Sequence, residues 1–384
     1  MTRGPAPIGY FVHHQGRGHA ERALDLAGHL AKERPVTLFC ARPDMLSGAR
    51  GAIDVVELPS LFEPRGDEDA GLSNVPTPST LHCAPVGWPA IGEAVAAITA
   101  WFARERPALF VTDVSAELGQ LARIASVPHC AVLQHGLRGD PGHRASYDGA
   151  LCLLAPYAET LEEPDRPAFL RDKTIYAPGV GVDVSNIPSR EDARSALQIS
   201  AEEELVVVVG GGGGNGLPTA PITLGARARP ASRWVTLGKM QHEWHETPPG
   251  NLHHMGWVDN PEFWIAAADR VVSSAGNTTV HVIASIGRPW IVVPEWRYFS
   301  EQICKAEALD RAGIAAMARH WPSCQEEWDR SWRAADAIDI DAQRSIYNPE
   351  AGATAAAEIE QAIARHGHGP AFAAGQQARL KVVS

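Results

Sequence analysis

Short apolar runs alternate along this chain with longer stretches in which apolar residues return at helical spacing. Ile8–Val12, Val36–Cys40, Val55–Leu58, Leu109–Thr112 and His129–Leu133 have strand length, and Gly18–Lys32, Trp88–Arg104 and Ala116–Ala125 have the helical period. Strands that are apolar throughout belong to sheets covered on both faces, so this alternation predicts a parallel sheet between helices. A second series runs Leu205–Val209, Trp234–Leu237, Leu252–Met255, Arg270–Val272 and Trp290–Val293, with helices between the later strands. The pattern therefore predicts an α/β protein with two doubly wound, Rossmann-like domains. Boundaries follow at 1–178 for the first domain, 179–190 for a Pro/Gly-containing linker and 191–345 for the second. An Ala-rich helix over 346–366 is expected to pack back on the first domain, and 367–384 has no apolar period, the composition of a disordered tail.

Three loops follow predicted strands, where ligands meet a parallel sheet. The first, His13-His14-Gln15-Gly16-Arg17-Gly18-His19, opens the first helix. Gly16 and Gly18 let backbone and ligand approach closely, but Glu21 stands where a dinucleotide fingerprint needs a third small residue. His19 has the chemistry of a general base near neutral pH; the alternative is an imidazole that caps its own helix. The second loop, Gly210 to Gly216, includes Gly211, Gly212 and Gly213 and suits a phosphate or sugar held against backbone, or else a flexible connection. The third is Ser273-Ser274-Ala275-Gly276-Asn277-Thr278-Thr279, at the start of a helix that Gly287-Arg288-Pro289 ends. Unpaired N–H groups and the positive end of the dipole make it a phosphate site, with ordinary N-capping as the alternative. Beyond it, Glu301 and Gln302 form an acid–amide pair suited to sugar hydroxyls.

Composition narrows the partners. The 384 residues carry a formal charge of −11 without a block of Lys or Arg, which argues against nucleic acid. Six scattered cysteines without a C-x-x-C pair read as reduced thiols, consistent with the cytoplasm. No run of about 18 apolar residues is present, as a membrane span would need. The pairs His13/His14, His253/His254 and His366/His368 lack a third ligand at recognisable spacing, and Asp339-Ile340-Asp341 reads as solvated surface, so no metal is expected.

The order of these motifs resembles GT-B glycosyltransferases, in particular the branch containing the peptidoglycan N-acetylglucosaminyltransferase and related bacterial UDP- and dTDP-sugar enzymes. The resemblance is most specific over Gly250–Ala316, with G-W-V-D-N-P, the small-residue turn, a helix ending in G-x-P, a V-P strand end and the acid–Gln pair. It implies two domains facing a cleft, with a nucleotide-diphosphate sugar as co-substrate and no separate cofactor. Residue by residue it implies that Val258 lies near the base, that Ser274, Ala275, Gly276, Asn277, Thr278 and Thr279 meet the diphosphate, and that Glu301 and Gln302 read the sugar. His19 falls where relatives carry a loop histidine, and Asp113 resembles the acid that orients the catalytic histidine in the plant-type branch.

One position departs from the pattern. Relatives that use UDP-sugars place Glu five residues before the glycine of G-x-P to hold the ribose; here that residue is Val282, beside His281. Glu301 or His281 are the substitutes to consider, and a dTDP donor becomes credible beside UDP. The resulting expectation is inverting, metal-independent transfer to an acceptor hydroxyl, with His19 as base. The acceptor is unidentified; only a lipid acceptor would bring peripheral membrane contact, and the oligomeric state is left open. The segment Leu61–Gly92 is the expected acceptor-side loop. The alternatives are a nonhydrolysing sugar-nucleotide epimerase, a non-catalytic binding subunit and, least favoured, an NADP oxidoreductase.

Overall fold

The computed structural model of the protein describes residues 5–211, 216–241 and 247–366. The expectations for Gly212, Gly213 and the 367–384 tail lie outside the described residues.

Strands β1 (Ile8–Phe11), β2 (Val36–Cys40), β3 (Ile53–Glu57), β4 (Leu109–Asp113), β5 (His129–Val132), β6 (Cys152–Ala155) and β7 (Thr174–Tyr176) form one sheet. Its order is β3-β2-β1-β4-β5-β6-β7, with every pair parallel. A second parallel sheet contains β8 (Leu205–Val209), β9 (Arg233–Leu237), β10 (Leu252–Gly256), β11 (Arg270–Ser273), β12 (Trp290–Val292) and β13 (Ala316–Met317), ordered β10-β9-β8-β11-β12-β13. Leu-Val-Val-Val-Val of β8 is buried along its whole length, as a central strand covered on both faces must be. At the edge, β3 turns Asp54 and Glu57 to solvent, which discourages pairing with another chain.

The two doubly wound halves expected from the pattern are present, with β6, β7 and β13 in addition. The last two have only three and two residues, and β6 lacks β-branched residues, so their strand signal is weak.

Strand order reverses between β1 and β4 in one sheet and between β8 and β11 in the other. Loops leaving the strands there diverge in opposite directions and open a crevice. Asp113 ends one of these four strands, and the segments carrying His19, Gly211 and Ser274 follow the other three. The halves also share a core, in which Leu133, Leu153 and Tyr157 cluster with Val207, Ile283 and Leu309. The last helix, Ala351–His366, lies on the Arg17–Leu30 helix, with Ala351, Ala355 and Ile359 in one cluster with Ala23, Leu26 and Leu30. Gly352 permits this approach: a β-carbon there would stand 2.5 Å from the Asp25 carboxylate.

Candidate functional site

The first loop turns into its helix at Gly16, whose φ of 106° is one that residues with a side chain rarely adopt. No side chain caps this helix, so His19 is not the cap of its own helix. Its ring turns inward instead. Nδ1 lies 3.2 Å from Asp113 Oδ2 and 2.9 Å from Arg22 Nη2. Asp113 ends β4 with no exposed surface, and Arg22 Nη2 donates to its two oxygens at 2.6 and 2.9 Å. His19 Nδ1 thus lies within reach of both groups, and the tautomer that carries its proton on Nδ1, toward Asp113, is the one that leaves Nε2 its lone pair. Burial alone would push the Asp113 carboxyl up; Arg22 first and His19 next bring it down to about 2. The dyad therefore carries a buried cation that leaves His19, Asp113 and Arg22 neutral as a set while the imidazole is neutral.

Next to it, His13 stacks on Phe62 with ring centroids 4.6 Å apart and lies 5.2 Å from His19. Burial first, then the nearby His19, pushes the His13 imidazole down to about 3, so it is neutral at physiological pH. Phe62 belongs to the expected acceptor-side segment, which brings that segment against the first loop.

In the other half, the hydroxyl-rich turn leads from β11 into the Asn277–Ile286 helix. Gly276 occupies the N-cap and no side chain caps the helix, which removes ordinary capping as the purpose of its Ser, Asn and Thr residues. Ala275 is fully buried, whereas Gly276, Asn277, Thr278 and Thr279 are half-buried at the crevice. Gly211 comes beside the turn: a β-carbon on it would be 3.3 Å from Ser274 Oγ. Glu295 stands near the same point, its charge taken by Arg297 at 2.8 Å. The turn also faces the first half, because a β-carbon on Gly18 would be 3.2 Å from Thr278 Oγ1. Two loops read separately in the sequence thus meet across the crevice.

Glu301 opens its helix beside this junction and reaches back to the first half, with Oε2 3.4 Å from Arg138 Nη2. Gln302 is placed differently from a residue that reads a sugar with both ends of its amide. Its Oε1 accepts from Ala275 N at 3.2 Å and Glu295 N at 2.9 Å, bracing the turn and leaving the amide nitrogen as the group to spare. Val258 is half-buried against the core at the end of the β10 loop.

No family profile matches the sequence, and no curated protein does. Solved structures do match over nearly the whole chain. MurG of Acinetobacter baumannii aligns over 93% of this chain and 100% of its own with a TM-score of 0.63 and 14% identity. Medicago truncatula UGT71G1, solved with UDP-glucose, aligns over 94% and 98% with a TM-score of 0.65 and 13% identity. The fold is that of the GT-B glycosyltransferases. A candidate UDP-N-acetylglucosamine 2-epimerase from Listeria monocytogenes also aligns, over 93% and 96%, with a TM-score of 0.54 and 12% identity. The GT-B fold by itself therefore does not choose between transfer and epimerisation.

Within this GT-B cleft one suggested substitute for the ribose acid is corrected. His281 is 1% exposed, and its Nε2 donates to the Pro156 carbonyl of the first half at 3.1 Å. It holds the halves together and does not face the crevice. Val282 packs against the core and has no polar atom on its side chain to offer. Asp339 accepts from Asp341 N and Ala342 N as the cap of a short helix, while the Asp341 side chain is 97% exposed.

A cluster that sequence spacing did not reveal joins the acceptor-side segment to Glu301. His82, Asp140 and His143 bring ligand-type atoms within 4.8 Å of one another. Arg138 Nη1 can only donate, so His143 Nε2 accepts from it at 2.9 Å and the ring proton goes from Nδ1 to Asp140 Oδ2 at 2.6 Å. His82 Nε2 meets Asp140 Oδ1 at 2.6 Å. This hydrogen-bond chain runs on through Arg138 to Glu301.

Arg22, Arg138 and Lys305 were not singled out by the sequence reading, although all three are buried. The pattern contained a signal for two of them. Arg22 stands one position before Ala23 in a helix that buries Ala20, Ala23, Leu26 and Leu30, and Lys305 shares its buried face with Gln302, Ala306 and Leu309. A charge on the buried side of a helix needs a partner or a use.

Proposed function

We propose that the protein transfers a sugar from a nucleoside-diphosphate sugar to an acceptor hydroxyl, with inversion at the anomeric carbon. One observation carries this reading. The His19–Asp113 pair and the uncapped, hydroxyl-rich helix start face each other across one crevice, with Gly18 against Thr278. That arrangement offers a base on one side and an anion site on the other, which is what displacement at an anomeric carbon requires.

In the step, the acceptor oxygen bonds to the anomeric carbon as its proton passes to His19 Nε2. The bond from that carbon to the β-phosphate oxygen breaks, and its electron pair leaves on the diphosphate. Asp113 holds the imidazolium, and the N–H groups and hydroxyls of the Ser274–Thr279 turn receive the diphosphate. This reading uses no metal and no separate cofactor. UDP is favoured as the nucleotide, with dTDP next because Val282 stands where the ribose acid is expected. No helix among the described residues is long and apolar enough to cross a membrane. The reading places the reaction in the cytoplasm, with a soluble acceptor or a lipid presented at a membrane surface.

The experiment is a melting-shift screen of nucleoside diphosphates followed by incubation with the sugar nucleotide of the best binder. UDP or dTDP should stabilise the fold by roughly 2–3 kcal/mol at about a hundred times its dissociation constant, and the free nucleoside much less. Equal shifts from nucleoside and diphosphate overturn the phosphate assignment. A changed sugar nucleotide formed without acceptor establishes epimerisation in place of transfer.

A further inference from the structure

The helix Glu301–Arg311 buries Gln302, Lys305, Ala306 and Leu309, a spacing of three and four that defines its inner face. An apolar residue would satisfy position 305. Instead a lysine lies there with 2% of its surface exposed. An ammonium taken out of water loses solvation that its partners must replace. Lys305 has three protons to donate, and its hydrogen bond is to a neutral acceptor, Asn277 Oδ1, at 3.3 Å. It forms no ion pair among the described residues.

Its surroundings are rich in positive charge. Glu301 on the same helix attracts the ammonium, while Arg22 and Arg138 from the other half repel it; burial, the largest effect, pushes its pKa below the ordinary value for lysine. His135 and His281, which feel its charge, are themselves held neutral by burial. Arg22 is committed to Asp113, and Arg138 is shared by Glu301 and His143. Among the described residues, Lys305 is therefore a buried cation of the crevice without a carboxylate in contact. It is aimed at the first residue of a helix whose N-cap is a glycine and whose start no side chain caps. A buried ammonium and an uncapped helix start converge on one spot, and both are satisfied by the same kind of guest, an anion with several oxygen acceptors.

We propose that Lys305 is a substrate-contacting residue that binds the donor diphosphate beside Asn277 and offsets the negative charge left on it when the glycosidic bond breaks. The lysine keeps its proton in this role; the bonding electron pair stays on the β-phosphate oxygen. The assignment rests on the nucleotide-sugar reading above and adds a residue to it.

The test compares Lys305→Met and Lys305→Arg with the wild type by titration with UDP, dTDP and the free nucleosides, together with melting of the ligand-free protein. Lys305→Met should weaken the preferred diphosphate by about 10- to 100-fold and its nucleoside by less than about 2-fold, and Lys305→Arg should recover part of the loss. The ligand-free melting temperature of Lys305→Met should hold or rise, because a buried charge gives way to an apolar chain of similar length. An unchanged ratio of diphosphate to nucleoside affinity in Lys305→Met overturns the proposal. A lower melting temperature with that ratio unchanged identifies Lys305 as a structural tether of Asn277. If Lys305→Met does not fold, an unaltered ratio in Lys305→Gln overturns the proposal in its place. A wild type that binds neither diphosphate removes the donor reading itself, and this assignment with it.

Discussion

Gly18 and Thr278 belong to different halves, yet a β-carbon on Gly18 would stand 3.2 Å from Thr278 Oγ1. The absence of a side chain at Gly18 lets the loop of the proposed base, His19, come this close to the turn proposed for the diphosphate. Adding a methyl group requires Thr278 to yield or the crevice to widen. Gly18→Ala should lower kcat/KM by about ten-fold, and the same change made in a Thr278→Ala background should cost less. The expected coupling is roughly 0.5–2 kcal/mol in a double-mutant cycle, as for residues in contact. Strictly additive effects would show that the two loops do not meet during turnover.

In the proposed reaction His19 and Asp113 divide the work of the base. His19→Ala should reduce turnover by on the order of a hundred-fold or more while leaving nucleotide affinity nearly unchanged, since the nucleotide is assigned to the other half. Asp113→Asn should reduce turnover less. Arg22 adds a stability component. Arg22→Met leaves the buried Asp113 carboxylate without its cation and should cost roughly 3–5 kcal/mol, most of which Asp113→Asn in the same chain should restore. Denaturant unfolding of the three variants checks this, and a double variant as unstable as Arg22→Met would show that Arg22 matters for packing alone.

Much of this site was legible because its loops sit where apolar runs end. Strand ends at Val12, Thr112, Val209 and Val272 could be read from continuous apolar stretches, and the candidate site residues lie immediately beyond each. Contacts made by long side chains across the crevice were not legible. Arg138 reaches Glu301 over a separation of 163 residues, and His82 reaches Asp140 over 58, distances for which no local period exists. Gln302 shows a different limit. Its residue type fitted a sugar contact, but its oxygen turns inward to brace backbone N–H groups at Ala275 and Glu295, and only the path of the turn reveals that demand. His281 likewise stood next to Val282 in the chain, while the helical turn between them sends its ring to Pro156.

Acid should destabilise the protein before its carboxylates titrate. Burial, the largest cause at each, pushes His13 down to about 3 and His143 and His281 down to about 4. In the unfolded chain these rings take a proton near pH ~6.5. Between that pH and about 4 the unfolded state therefore binds more protons than the folded state, and stability falls as pH falls. The slope should reach on the order of 1 kcal/mol per ring for each pH unit. Urea midpoints at successive pH values between neutral and mildly acidic should decline, and His281→Asn should flatten the decline. A constant midpoint over that window would mean that these rings are protonated in the folded protein.

Val282 gives the sharpest test of donor choice. It lies in the second turn of the Asn277–Ile286 helix, partly buried against the core, with His281 turned away toward Pro156. Neither residue can hold a ribose, so UDP and dTDP should bind within about tenfold of each other, a difference of ~1.4 kcal/mol or less. Val282→Glu should shift the preference toward UDP, because a carboxylate can accept from both ribose hydroxyls but from only one in deoxyribose. Val282→Gln, of similar size, should shift it less. The position is beyond the first helical turn, so the dipole gives the new charge little help and the lost packing should cost about 1 kcal/mol of stability. Competition binding of UDP against dTDP measures the preference in each variant. A wild type that already favours UDP by a hundredfold would require another residue at the ribose, and Glu301 would then be the first to replace.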